Sequence, residues 1–203
     1  MNNDITIRLE IPTDYRTVEN LTREAFWNVY RPGCLEHYVL HQYRTRPDFL
    51  PMLDYVLEKN GKIIAHVMYA RSYLTLPNGE KEEIATFGPL SVLPEEQRKG
   101  YGSKLLDYTL KIAKEQGIRA VAITGNFDFY RNLGFEKGKD KGVFYSFDHD
   151  ADYFLVKELE KGFFDRCKGE YTDPDGYFVD ETEAEQFDKT FPPKQKLKLD
   201  GQL

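Results

Sequence analysis

The sequence predicts a mixed α/β fold, with antiparallel strands first and one βαβ unit in the middle. Two observations carry this. Apolar residues alternate in short runs separated by Asn60–Gly61 and Pro77–Asn78–Gly79, which reads as a meander of hairpins. A buried strand near residue 90 then enters a glycine loop, a helical pattern and another strand, which requires a parallel crossover. The chain has 203 residues, a net charge of −6 and 31% charged residues. That places it among globular proteins able to bury a core unaided.

Ile5, Ile7, Leu9 and Ile11 alternate with polar residues, so a half-buried strand opens the chain. Pro12 ends it, and Thr13 or Asp14 caps a helix carrying Val18, Leu21 and Ala25. A second helix is expected over residues 35–43, after the Pro32–Gly33 break, followed by a loop to Pro51. Strands are expected over 53–58, 63–74 and 84–92, the last interrupted at Gly88–Pro89, where proline cannot donate to the ladder. A polar loop over 97–102 leads to a helix over 103–116, closed by Gly117. A strand over 120–124 and a short helix over 127–133 follow; Phe135 opens a further strand region, and 153–159 reads as the last strand of the main sheet.

Residues after Gly162 change character. From Glu170 to Asp188 there is acid without Lys or Arg, and Lys189, Lys194, Lys196 and Lys198 then reverse the sign. Five aromatics lie between Tyr171 and Phe191. Two readings stand: a solvated tail, or an arm whose aromatics dock on the domain. The expected organisation is a domain over 1–160 and an arm over 161–203, packed on it.

The acidic balance argues against nucleic acid as a partner. Cys34 and Cys167 stand far apart with no Cys/His cluster, so no metal and a reducing compartment are expected. The first residues show no signal-peptide pattern and no apolar run is long enough to span a membrane. The expectation is a cytoplasmic protein without a membrane partner.

The informative stretch is Gly88 to Leu106. Helix N-termini carry unpaired N–H groups and partial positive charge, so a glycine-rich turn into a helix is an anion cradle. Gly100 and Gly102 let backbone approach a phosphate, and Arg98, Lys99 and Lys104 add charge. The P-loop order and the GxGxxG fingerprint both fail here. A pyrophosphate-type ligand is inferred; a basic, glycine-rich helix start is the structural alternative.

Gln97-Arg98-Lys99-Gly100-Tyr101-Gly102 matches the [RQ]xxGx[GA] pattern of the GNAT superfamily of acyl-CoA N-acyltransferases. Leu90-Ser91-Val92-Leu93-Pro94 is similar to its L-x-V-x-P lead-in, and Tyr130 to Phe135 resembles its Y-x-x-x-GF motif. The resemblance covers about residues 5–160, and the approach through Gly125 and Asn126 is similar to a bacterial short-loop subgroup. It implies a mostly antiparallel sheet with a splayed parallel strand pair, flanked by helices, the opening starting at Gly88–Pro89.

The resemblance further implies acetyl-CoA as co-substrate. Its pyrophosphate would lie on the backbone of Gln97, Arg98, Lys99, Gly100, Tyr101 and Gly102, with Ser103 at the helix start. Its pantetheine arm would pair with main-chain groups of Leu90, Ser91 and Val92. Tyr130 takes the place of the family's general acid, since a phenol can protonate a departing thiolate. Asn126, four residues before Tyr130, joins the cofactor-binding set, although many members place an asparagine seven before. Glu83, Thr86 and His66 lie on or near strands where a base could sit, and none is singled out.

The implied activity is transfer of an acetyl group to a primary amine by direct attack in a ternary complex. No cysteine near the motifs suits an acyl-enzyme route. Residues 28–51 and the C-terminal arm would wall the acceptor; Trp27, Tyr30, Tyr38, Tyr43 and Phe49 suit a cationic amine. The acceptor stays open among small molecules, antibiotics and proteins. The alternative is a catalytically silent acyl-CoA-binding module on the same fold. Exposed strand edges leave room for a homodimer.

Overall fold

A computed structural model of the chain describes residues 4–202. The strands follow the order β1-β2-β3-β4-β5-β8-β6, with β9 on β3 and β7 on β9. They are β1 Ile5–Leu9, β2 Tyr55–Lys59, β3 Lys62–Thr75, β4 Lys81–Val92, β5 Ala120–Thr124, β6 Glu136–Lys137, β7 Val143–Tyr145, β8 Phe154–Glu158 and β9 Gly169–Tyr171. The helices are α1 Tyr15–Phe26, α2 Glu36–Tyr43, α3 Tyr101–Glu115, α4 Phe127–Tyr130, α5 Phe163–Arg166 and α6 Glu181–Asp188. The expected mixed α/β class, mostly antiparallel with one parallel pair, is what the chain forms. Contacts divide it into two compact units, and β3, β4 and α3 contribute residues to both.

The first unit comprises residues 4–68, 89–106 and 175–202. β1 lies antiparallel on β2, from Ile5 opposite Lys59 to Leu9 opposite Tyr55. β2 turns into β3 at Asn60 (φ 52°) and Gly61 (φ 76°); two positive φ values give the turn whose twist matches the strands. Val18, Leu21, Leu40, Val56, Leu57, Ala65 and Val67 are buried. Ile11 is exposed and the strand stops at Leu9, because a 3-10 turn over Pro12–Asp14 takes the chain into α1. The same preference of proline for a helical first turn converts Pro51–Leu53 into a 3-10 turn, so β2 starts at Tyr55 rather than 53.

The C-terminal segment of this unit docks. Asp180 caps α6, accepting from the Thr182 and Glu183 amides at 2.8 and 2.9 Å. Arg23, 1% exposed, pairs with Asp188 at 2.6 Å. Trp27 Nε1 donates to the Gln195 carbonyl at 2.9 Å and Gln42 to the Gly176 carbonyl at 2.8 Å. Phe191 is buried.

The second unit comprises 69–88 and 107–174. β4 and β5 run parallel, with Ala85 opposite Val121 and Thr86 opposite Ala122. β8 lies antiparallel on β5, and β6 on β8. The core gathers Leu74, Ile84, Ala120, Phe154, Val156, Phe163, Phe164 and Tyr171. β4 begins at Lys81, earlier than expected, because its charges are paired: Glu82 with Arg119 at 2.6 Å and Glu83 with Arg71 at 3.2 Å. The segment over 153–159 is not the last strand. β9 follows it, antiparallel to β3 at Leu74 and Thr75 and parallel to β7. A methyl at Gly169 would stand 2.3 Å from the Thr75 carbonyl oxygen, so glycine permits this close backbone approach.

Candidate active site

The glycine loop belongs to the first unit. A 3-10 turn over Pro94–Glu96 follows β4, and α3 starts at Tyr101. The helix therefore opens two residues earlier than the pattern suggests, and Tyr101 and Gly102 form its first turn. The bend is made at Arg98 (φ 60°) and Gly100 (φ 85°). Two left-handed residues with one between them fold the backbone tightly onto the helix N-terminus, whose first N–H groups have no intrahelical acceptor. Gln97 Nε2 bonds the Val92 carbonyl at 3.1 Å and pins the loop's entry. Lys99 donates to the main-chain carbonyl of Glu95 at 2.5 Å and to the Glu96 carboxylate at 3.2 Å. Lys59 meets the same Glu96 at 2.9 Å. Arg98 and Lys104 are exposed, and Ser103 is half-buried in the first turn of α3.

The strand before the loop presents Leu90, Ser91 and Val92. Ser91 is buried, its hydroxyl 2.9 Å from that of Thr22. Its side chain is thus engaged in the interior.

Tyr130 belongs to the second unit and closes α4. Its half-buried ring lies between Phe129, Phe135 and Phe87, at centroid separations of 4.8, 5.4 and 5.9 Å. A methyl at Gly125 would come within 2.5 Å of the Tyr130 ring, so Gly125 makes room for it. Asn126 is exposed, and its side-chain oxygen accepts from the Asp128 amide at 2.8 Å. That caps α4, a role any Asn at this position would favour. Just before the site, Gly88 takes φ 139°, a conformation that L side chains rarely adopt, and Pro89 follows.

A protein-family model described as "Acetyltransferase (GNAT) family" matches residues 17–135. The chain belongs to the GNAT family. Among curated relatives, an uncharacterized N-acetyltransferase of Methanocaldococcus jannaschii is 32% identical over 140 residues, 60% of this chain and 61% of that protein. The chain thus spans less than two thirds of that relative's length. A GNAT family N-acetyltransferase from Escherichia coli, solved with CoA, superposes with a TM-score of 0.75 at 22% identity, covering 87% of this chain and 93% of that one. A GNAT acetyltransferase from Brucella melitensis, solved with acetyl-CoA, gives a TM-score of 0.69 at 22% identity over 86% and 99% of the two chains. At such identity the likeness is one of fold.

The GNAT chain places the three base candidates differently. His66 is fully buried with Nε2 2.6 Å from Asp54, and burial lowers its pKa to about 4. It is neutral and locked in the first unit. Glu83 is spent on Arg71. Thr86 is buried in the second unit. Glu10, Asp54 and His66 bring ligand-type atoms within 4.8 Å of one another. Arg44 already holds both oxygens of Glu10, at 2.8 and 3.0 Å, so the group reads as a buried ionic network.

Sequence reasoning missed one constellation. Cys34 Sγ lies 3.3 Å from His37 Nδ1, and His37 Nε2 lies 3.2 Å from Asp188. Cys34 and His37 are three apart, at helical spacing, but Asp188 comes from the arm. Burial pushes the thiol well above its usual range, which keeps it protonated and a poor nucleophile. Among the expected acceptor-wall aromatics, Tyr43 is fully buried, Tyr38 bonds Glu183 at 2.8 Å, and Arg23 lies 4.2 Å over Trp27. Tyr30, Arg31, Pro32, Leu35 and Glu36 line an open surface cavity. Among the described residues no helix is long and apolar enough to cross a membrane.

Proposed function

We propose that this GNAT chain transfers an acetyl group from acetyl-CoA to a primary amine by direct attack in a ternary complex. The observation that carries the reading is the turn at Arg98 and Gly100 onto the N-terminus of α3. It aims backbone N–H groups and the positive end of the helix at one place, where a pyrophosphate is stabilised without a dedicated side chain. The bend at 97–100 and the first turn, Tyr101 to Ser103, hold the phosphates. Arg98 and Lys104 add charge, and main-chain groups of Leu90 to Val92 pair with the pantetheine arm.

Tyr130 is the general acid. The amine nitrogen forms its bond to the carbonyl carbon as the C–S bond breaks, and the phenol gives its proton to the departing thiolate. Close ring packing fixes the phenol's direction, so little ordering remains for the reaction step. Asn126 contributes by holding the turn that carries this ring.

Calorimetric titration with acetyl-CoA, with ATP as control, tests the cradle. Micromolar binding of acetyl-CoA is expected. Failure to bind any CoA species sinks the proposal. Acceptor-dependent thiol release then separates an enzyme from a silent binding module. Tyr130→Phe is expected to bind acetyl-CoA normally and to lose roughly 100-fold in kcat. Unchanged turnover removes the acid assignment.

A further inference from the structure

The second unit holds three buried hydroxyls, those of Ser72, Ser146 and Tyr171, without a hydrogen-bond partner among the described residues. Ser72 and Tyr171 are neighbours. Tyr171 faces the side chains of Ser72, Thr86 and Asp173. Tyr171 has no exposed surface and Thr86 and Ser72 are each 2% exposed. Asp173 is half-buried, and one of its carboxylate oxygens accepts from the Tyr145 hydroxyl at 2.6 Å. The elements explain the meeting: Ser72 sits on β3, Thr86 on β4, and β9 pairs with β3 and β7, which brings Tyr171 beside Tyr145.

Leaving a buried hydroxyl unpaired costs about 1–3 kcal/mol. A spot where two such groups converge is therefore expected to hold water or part of a ligand. Its place along β4 says what it serves. Side chains alternate faces along a strand. Phe87 touches the Tyr130 ring, so Thr86 lies on the other face of β4, two residues before the Gly88 break.

We propose that Ser72, Thr86 and Tyr171 form the exit by which the acceptor ammonium delivers its proton to Asp173, with Tyr171 as a positioning residue. The step rests on the acetyl-transfer reading above. R–NH3+ becomes R–NH2 before attack, and the proton passes along hydroxyls and the water they hold to the Asp173 carboxylate. Burial holds the Tyr171 phenol well above its ordinary range, so it passes protons as a hydroxyl and does not act as the base. The titratable groups near this path are Asp173 and, from β7, Tyr145; Tyr153 lies next to Tyr145 and donates to Asp148 at 3.2 Å. β8 presents the Phe154 ring, stacked on Tyr171 at 5.1 Å.

The test is the pH profile of kcat/KM for thiol release with ethylamine, 2-phenylethylamine and lysine amide as acceptors. Tyr171→Phe keeps the ring and removes one oxygen. At pH 7 it is expected to lower kcat/KM by about 10-fold, with the loss shrinking above pH 9, where more of the amine is already neutral. Its Tm is expected to hold, because the buried ring and its packing are kept. Asp173→Asn, nearer the surface, is expected to show the same pH-dependent loss and guards against misfolding of the first variant. Profiles of both variants that match wild type overturn the proposal while leaving acetyl transfer intact. Acetyl-CoA binding with no amine-dependent release in wild type overturns both.

Discussion

Gly125 and Asn126 show how closely one residue is bound to the proposed acid. Gly125 lies against the Tyr130 ring with no space for a methyl. Gly125→Ala must push the ring or the backbone aside, at a cost of about 1–3 kcal/mol. The expected outcome is a lower Tm together with reduced kcat and unchanged acetyl-CoA affinity, read by thermal unfolding, kinetics and titration. Asn126→Ala removes the cap on α4 and is expected to cost about 1 kcal/mol of stability. If Asn126 only caps, the Kd for acetyl-CoA stays within about twofold; a roughly tenfold weakening assigns it a direct contact with the cofactor. Both residues stand in the sequence beside the Tyr130 motif. The motif makes Tyr130 legible, but nothing local shows that Gly125 is needed for space or that Asn126 spends its oxygen on an amide.

Helix α6 and the arm around it form the element the sequence left open. Their acids are individually answered: Glu181 by Arg31 at 2.7 Å, Glu183 by Tyr38, Glu185 by Lys196 and Asp188 by Arg23. His37 sits at the centre, without exposed surface, between the rings of Phe187 and Phe191. Burial lowers its pKa to about 4, while the nearby Asp188 pulls the other way and Arg23 and Arg16 reinforce the lowering. A depressed histidine pKa means that the undocked chain binds more protons between about 4 and 6.5. The stabilisation is complete above 6.5 and lost as pH falls toward 4. At pH 5 the loss is on the order of 1–2 kcal/mol. Hydrogen exchange over residues 180–191 is expected to quicken from pH 7 to 5, and to lose that pH dependence in His37→Gln. Equal acceleration in the variant would assign the effect elsewhere.

At the scale of the molecule, the anion site proposed for this acidic chain depends on how charge is arranged locally. Lys99 and Lys59 both meet Glu96, so the proposed attraction for phosphate rests on backbone N–H groups, Arg98 and Lys104. All three cations of the cluster seen in the sequence are exposed, but Lys99 is paired with Glu96. This distinction needs tertiary contacts, since Lys59 is far from the loop along the chain.

The order of strands and helices, the hairpin at Asn60–Gly61, the turn after β4 and the GNAT motifs were readable because each depends on neighbours within a few residues. Periodicity, turn chemistry and helix starts are local properties. β9 was not readable: it is three residues long, begins with glycine and exists because β3 and β7 offer it edges. The Arg23–Asp188 pair, the neutral His37 and His66, and the meeting of Ser72, Thr86, Tyr171 and Asp173 were likewise invisible. They depend on burial and on partners distant in sequence, and desolvation sets both their protonation and their cost. The sequence by itself determined which chemistry-bearing residues exist and which elements carry them. The tertiary structure decided which of them are free to meet a substrate, because only packing removes water from some and leaves others exposed.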